Sequence, residues 1–461
     1  MQSSPSAVDG QPVQGIPLSE VISALSYALD ITEGQPEGHA VRSCLIGMRL
    51  AAEVGLSADE RSSLFYALLL KDAGCSSNAA KTCMLFGSDD LEVKRSWKLT
   101  DWPGRWASLA HTVRNAAPHG SALERAAQVL SIAGAGPVGT ELIQTRCDRG
   151  ADIARMLGFS EETAAAIRTL DEHWDGRGSP ARLRGSRIPL PGRILCLAQT
   201  VEIFFSSFGV DEACRVARRR SGRWFDPALV RALERIRGDE GFWAALAAPD
   251  VQAQVAALEP EDRVLLADDE RLDRVAEAFA GVIDAKSPYT FRHSAGVAEV
   301  AVRIGAQMGF GPGELRDLRR AALLHDVGKL GVSNRILDKP GKLTEEEFAV
   351  VRRHTDHTHR ILERVAVFRE LALVAASHHE RMDGSGYHRG VRAGDLPLAA
   401  RILAVADVFD ALSADRPYRA GLPRGEVLAI MRAQVGAGLC PQAFGALAAS
   451  LGEQDTAVTA A

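Results

Sequence analysis

Residues 291–331 read FRHSAGVAEVAVRIGAQMGFGPGELRDLRRAALLHDVGKLG, and they decide the fold. Ala295, Val297, Ala298, Val300, Ala301, Val302 and Ile304 follow His293 at helical spacing. Leu315, Leu318, Ala322 and Leu323 repeat that pattern up to the pair His325-Asp326. Charged groups at the apolar end of a helix are costly to bury without a partner, so this pair points to one.

Moving outward, residues 37–75, EGHAVRSCLIGMRLAAEVGLSADERSSLFYALLLKDAGC, carry the same marks. His39 and Asp72 each precede His293 and Asp326 by 254 positions. DEHWDGRGSP at 171–180 matches HERMDGSGYH at 379–388, and Arg193-Ile194-Leu195 matches Arg401-Ile402-Leu403, both at a spacing of 208. Phe225-Asp226-Pro227 resembles Leu439-Cys440-Pro441 at 214. The same marks in the same order predict a tandem duplication. The spacing shortens by 46 along the way, so the first copy carries an insertion near 95–140, with Trp97, Trp102, Pro103 and Trp106 and no strand alternation.

Composition agrees with helices. Of 461 residues, 46% are hydrophobic and 25% charged, which excludes wholesale disorder and gives each half enough apolar material for a core. Aromatics are only 6%, against abundant Ala, Leu and Arg, and no hairpin pattern appears. The expected fold is all-α, two tandem helical bundles. The expected divisions are a polar tail at 1–15, a first unit at 16–248, a connection at 249–267, a second unit at 268–451 and a frayed end at 452–461. A net charge of −5 argues against a general DNA binder. No apolar run is long enough to span a membrane, and the N-terminus lacks the basic and apolar regions of a signal peptide. The seven cysteines form no CxxC pair and read as reduced core thiols of a cytoplasmic protein.

Histidine is distributed unevenly: eight of twelve lie between His293 and His388. The second copy offers His293, His325, Asp326, His354, His378, His379 and Asp407 in order. Imidazole with carboxylate suits divalent iron, manganese, zinc or nickel. Seven such groups exceed the needs of one ion, and Asp326 can bridge two that share a hydroxide. Two ions about 3.5–4 Å apart suit in-line attack on a phosphorus ester. His357 and His359 read as a solvated helix face. Lys329 can neutralise a phosphate oxygen or merely complement a helix C-terminus. Arg416 and Arg419 can grip phosphates or belong to a surface loop.

The run HDVGK at 325–329, LGVSNRILDKPGKLTEEEF after it, His354, HHERMDGSGYHRG at 378–390 and LPLAARILAVADVFDALSADRPYR at 396–419 resemble the HD-GYP family of HD-domain metal-dependent phosphohydrolases. The likeness covers nearly all of 280–440. It implies a helical bundle and hydrolysis of cyclic di-GMP to pGpG and/or GMP. It implies a centre of two or three divalent ions, iron or manganese, held by the seven histidines and aspartates. It makes Asp326 and Lys329 catalytic, with Lys329 on the scissile phosphate. Tyr387, Arg416 and Arg419 would line the dinucleotide site.

Two departures stand out. The family's Gly-Tyr-Pro is here Gly386-Tyr387-His388, which should loosen that loop. Trinuclear members place a glutamate four residues before the first ligand histidine. Tyr289 stands there, so two ions are expected rather than three. The first copy keeps His39 and Asp72, but the remaining ligand positions hold Lys71, Arg146, Leu170, Asp171 and Gln199. An ammonium where a metal should sit opposes the metal, so no catalytic ion is expected there. That copy then reads as sensory, regulatory or dimerising, or as a scaffold that shields apolar surface of the second. A regulatory protein partner and a homodimer both fit the layout. Two other functions fit as well: a nucleotide-sensing or partner-binding module with incidental turnover, and an HD phosphohydrolase acting on another nucleotide.

Overall fold

A computed structural model describes residues 16–100, 105–118, 120–134, 138–259, 264–290, 292–415 and 420–452. Arg416, Arg419, Trp102, Pro103 and nearly all of the expected tails lie outside the described residues.

The described chain is helical almost throughout. In the first copy, helices Leu18–Thr32, His39–Val54, Ala58–Leu70, Glu161–Arg168 and Leu190–Phe208 pack on one another. In the second, His293–Gln307 lies against Pro312–Leu324, Leu398–Ser413 and Pro441–Ser450. The insertion of the first copy forms helices Asp90–Leu99, Arg105–Asn115 and Ala122–Gly134, as its pattern implied. The all-α expectation holds with one small addition. Ile16–Pro17 pairs antiparallel with Leu266–Ala267, tying the start of the described chain to the connection between the copies. That connection also holds a short helix, Val251–Ala256.

Local signals set the helix ends. Ser57 with Glu60 and Thr344 with Glu347 form reciprocal capping boxes. Pro227, Pro312 and Pro441 stand at first helical positions, where a missing N–H costs nothing.

The duplication extends to single hydrogen bonds. Arg193 Nε donates to Ile188 O at 3.0 Å, and Arg401 Nε to Leu396 O at 2.9 Å. Asp175 N donates to Arg223 O, as Asp383 N does to Ala437 O, both at 2.9 Å. In each copy a buried glutamate, Glu172 or Glu380, accepts two backbone N–H groups of the following loop. Glu172 and Glu380 stand at equivalent positions, so these loops are one inherited device.

The apolar core is continuous across both copies, from Leu18 to Leu447. Helix Leu18–Thr32 of the first copy packs on the segment Val327–Gly331 and on helix His354–Glu363 of the second. Buried Asp90 reaches across as well. Its Oδ1 accepts from Asn334 N at 2.8 Å and Ser333 Oγ at 3.2 Å, and its Oδ2 lies 3.5 Å from Lys286 Nζ.

Candidate metal centre

Helix Pro312–Leu324 ends where the reactive pair begins, and the chain then tightens into a 3₁₀ turn, Val327–Gly331. Lys329 therefore stands on that turn rather than on a continued α-helix. Its ammonium folds back onto Asp326 Oδ2. The turn is held by buried Thr358, which accepts from Gly328 N at 3.0 Å and donates to His325 O at 2.9 Å. A Cβ at residue 328 would overlap the His354 carbonyl, so only glycine lets the turn lie on the next helix.

Three histidines share one construction. His325, His354 and His378 each follow the end of a helix, and each Nδ1 lies 2.6 Å from the carbonyl three residues upstream: Ala322, Val351 and Ala375. Last-turn carbonyls have no intrahelical partner, so the imidazole N–H takes that role. This fixes the tautomer and turns each Nε2 lone pair inward, as second-sphere partners do for metal-binding histidines.

The inward atoms converge. His354 Nε2 and His378 Nε2 are 3.2 Å apart, and each lies 3.5 Å from Asp326 Oδ1. His325 Nε2 is 3.3 Å from Asp326 Oδ2. From the opposite side His293 Nε2 approaches Asp407 Oδ1 at 3.1 Å and Asp326 Oδ2 at 3.8 Å. His379 Nδ1 is 3.9 Å from Asp407 Oδ2. The seven groups fall into overlapping clusters, one around His354, His378 and His379, another around His293, His325 and Asp407, with Asp326 between.

Electrostatics prepare this donor set. Burial opposes charge on Asp326, yet His325 and Lys329 hold its carboxyl well below the usual range. Asp407 is likewise held low against burial, chiefly by His293. Burial pushes His354 down to about 3, and lowers His378 and His379 too. Ionised carboxylates with neutral imidazoles are what a divalent cation requires. His293 differs: burial lowers it, but Asp407 and Asp410 outweigh that and raise it to about 9. His325 Nε2 and Asp326 Oδ1 are buried with no hydrogen-bond partner among the described residues. Such orphans cost free energy, and a bound cation would satisfy both. The donor set therefore fits divalent metal.

Four functional features escape sequence reading. Asp410 Oδ2 lies 2.6 Å from His293 Nδ1 and orients that ring. The signal was present, since Asp407 and Asp410 share a helix face and Glu202 holds the matching place in the first copy. Thr358 and Glu380 act only through backbone groups, which no side-chain pattern reveals. His388 adopts φ 112°, which proline cannot reach, and its Nδ1 lies 3.0 Å from Asp356 Oδ1. The loop is thus pinned from outside where the proline is lost. His357 and His359 are half-buried rather than solvated, with His359 facing the His388 ring at 5.5 Å. Tyr387 lies over His379, ring centres 4.7 Å apart, at the edge of the centre.

The first copy brings its equivalent positions together and fills them with cations. Lys71 contacts Asp72, and Arg146 contacts Asp171. Lys98, from the insertion, lies 2.8 Å from Glu33 Oε2 and 3.2 Å from Asp72 Oδ1. His39 still faces Asp72 at 3.9 Å, and Glu202 still holds its Nδ1. Glu33, Asp72 and Cys75 approach one another as a metal site would, but Lys71 and Lys98 already occupy the carboxylates.

A helical bundle with histidine and aspartate converging from successive helix ends defines a metal-dependent hydrolase class. The HD-domain family model matches residues 133–229 and 277–439. The chain is 46% identical to the 3'3'-cGAMP-specific phosphodiesterase 3 of Vibrio cholerae over 94% of its own length and 95% of that protein. It is 43% identical to a cyclic di-GMP phosphodiesterase of Thermotoga maritima, over 30% of this chain and 38% of that one. The crystal structure of the V. cholerae cyclic GMP-AMP phosphodiesterase V-cGAP3 superposes with TM-score 0.65 at 41% identity, covering 95% of this chain and 98% of that one. The chain belongs to the HD-domain family of metal-dependent phosphohydrolases, in its HD-GYP branch.

Proposed function

We propose that the second copy is the catalytic unit of a cyclic dinucleotide phosphodiesterase and that 3'3'-cyclic GMP-AMP is its first substrate, with cyclic di-GMP second. The convergent centre on Asp326 supports the chemistry. The V. cholerae relative that matches both copies, rather than the second alone, supports the substrate.

His293, His325, Asp326, His354, His378, His379 and Asp407 would hold two divalent ions, iron or manganese. Bound there, the metals supply Lewis acidity at the phosphate and a water made acidic enough to attack at neutral pH. The chain's own groups set the rest. Backbone carbonyls hold Nδ1–H of His325, His354 and His378, so no proton competes at their inward nitrogens. Asp410 aligns His293. Lys329, resting on Asp326, swings to neutralise a phosphate oxygen as charge develops. Tyr387 supplies an aromatic wall at the rim, and Arg416 and Arg419 carry positive charge for the second phosphate. The units 16–248 and 268–451 divide the work, the first without a catalytic ion. Placement in the cytoplasm fits free cysteines, and among the described residues no helix is long and apolar enough to cross a membrane.

The test is a substrate panel. Manganese- or iron-loaded full-length protein should hydrolyse cyclic GMP-AMP with a higher kcat/KM than cyclic di-GMP. His378→Ala should lower the rate on the order of 100-fold or more while the fold is kept. Absence of turnover on every cyclic dinucleotide overturns the reading.

A further inference from the structure

The first copy carries a cavity of about 270 Å³, open to solvent, at the place equivalent to the second copy's metal centre. Arg146, Asp171 and Gln199 line it, and they occupy the positions of His354, His379 and Asp407. The ligands were exchanged, yet the space was not filled in by larger apolar side chains. The space opens to solvent past Arg177, so a ligand can enter it.

We propose that this cavity is a non-catalytic binding site for a nucleoside monophosphate. Lys98, Arg146 and Arg177 face it, each beside a carboxylate (Glu33 and Asp72, Asp171, and Asp175 respectively), so a phosphate would be held by directed ammonium and guanidinium donors. Arg146 and Lys98 are held by Glu33, Asp72 and Asp171, so they are pre-oriented rather than mobile. Aromatic walls lie beside them. His173 stacks on one face of Trp224, centres 4.2 Å apart and planes 18° apart, Arg220 lies over the same ring at 4.0 Å, and Trp97 is among the lining residues. Trp224 is thus fixed in place and meets a nucleobase through its edge rather than its face. The floor offers base-edge chemistry as well. Gln199 is 8% exposed, and its Oε1 has no hydrogen-bond partner among the described residues. Trp224 Nε1 is likewise a buried donor with none. An acceptor and a donor left unsatisfied on one lining are costly unless a ligand completes them. The volume lies just below the usual range of ligand sites and the cavity is open on one side, which fits a mononucleotide better than a dinucleotide.

Two lining helices reach the second copy: Val138–Met156, whose Arg149 approaches Gly281 O, and Asp90–Leu99. Helix Asp90–Leu99 presents Trp97 and Lys98 to the cavity, while Asp90 at its start holds Ser333 and Asn334 just beyond the Lys329 turn.

GMP and inorganic phosphate are the probes. They are titrated calorimetrically into the full-length chain carrying His325→Ala, which disables the second copy's centre. One saturable GMP site is expected, at least about tenfold tighter than phosphate. Arg146→Gln should weaken both probes by about tenfold, and Trp224→Leu should weaken GMP alone. Because Arg146 is partly buried, the rim residue Arg177→Gln, 72% exposed and free to change without unfolding, should also weaken both several-fold. No saturable binding up to about 10 mM overturns the proposal, as does unchanged GMP binding in the Arg177 and Trp224 variants. Phosphate binding as tightly as GMP overturns the nucleoside half of it.

Discussion

At the scale of single residues, the centre depends on groups that never face a metal. Asp410 reaches only the outer nitrogen of His293, yet it sets the ring's direction. Asp410→Asn should lower metal affinity by roughly 10–100-fold with little change in melting temperature, read as metal content after dialysis against a buffered metal series. Glu33 shows the same logic in the first copy. Burial would raise its carboxyl, but Lys98 and Lys94, with Arg146, bring it down to about 2. A depressed carboxylate contributes stability above its unfolded value of 4.5, lost as pH falls from there toward 2. Glu33→Gln should flatten that part of the acid-unfolding profile. It should also cost about 3 kcal/mol near neutrality, because the buried cations lose their partner. Chemical denaturation between pH 2 and 7 checks both expectations.

At the scale of elements, the decisive object is a 3₁₀ turn closed over a helix start. Gly328 and its first-copy equivalent Gly74 both lie where a Cβ would strike backbone, of His354 and Arg146 respectively. The turn geometry is therefore kept in the copy whose metal-ligand positions are exchanged. Gly328→Ala should push the turn off helix His354–Glu363, separating His325 from His354. Turnover should fall sharply, with a stability loss of about 1–3 kcal/mol, measurable by kinetics and urea unfolding on one preparation. Helix Asp90–Leu99 is the second decisive element. Asp90→Ala leaves the Lys286 ammonium and the Asn334 N–H buried without their partner. Faster amide exchange is expected across 327–334, with a lower kcat, and unchanged exchange there would refute the link.

At the scale of the whole molecule, the two copies share one apolar core rather than meeting at a thin interface. Ile22, Leu25 and Leu29 of helix Leu18–Thr32 are fully buried, and that helix lies on the second copy's active turn. An isolated 268–451 fragment would expose the face this helix covers. It should bind a hydrophobic dye and melt below the full chain, with reduced turnover. A fragment as stable and active as the full chain would show the copies to be independent.

Much was legible before any coordinate. Helical periodicity between His293 and Asp326, the spacing of 254 and the density of histidine determined the all-α fold, the duplication and the half that keeps metal-capable groups. These are local or one-dimensional signals, set by backbone periodicity and by residue types that only certain chemistry uses. The tertiary structure decided what depends on distance. It brought Asp410 and Thr358 to the centre and gave His388 an outside partner in Asp356. It placed Lys98 of the insertion beside Asp72, across 26 residues of chain. It also left a cavity in the first copy at the place equivalent to the second copy's metal centre. Which cations meet which carboxylates, and which spaces stay open, follow from how helices pack. Packing is a property of the whole core, and no stretch of sequence holds it alone.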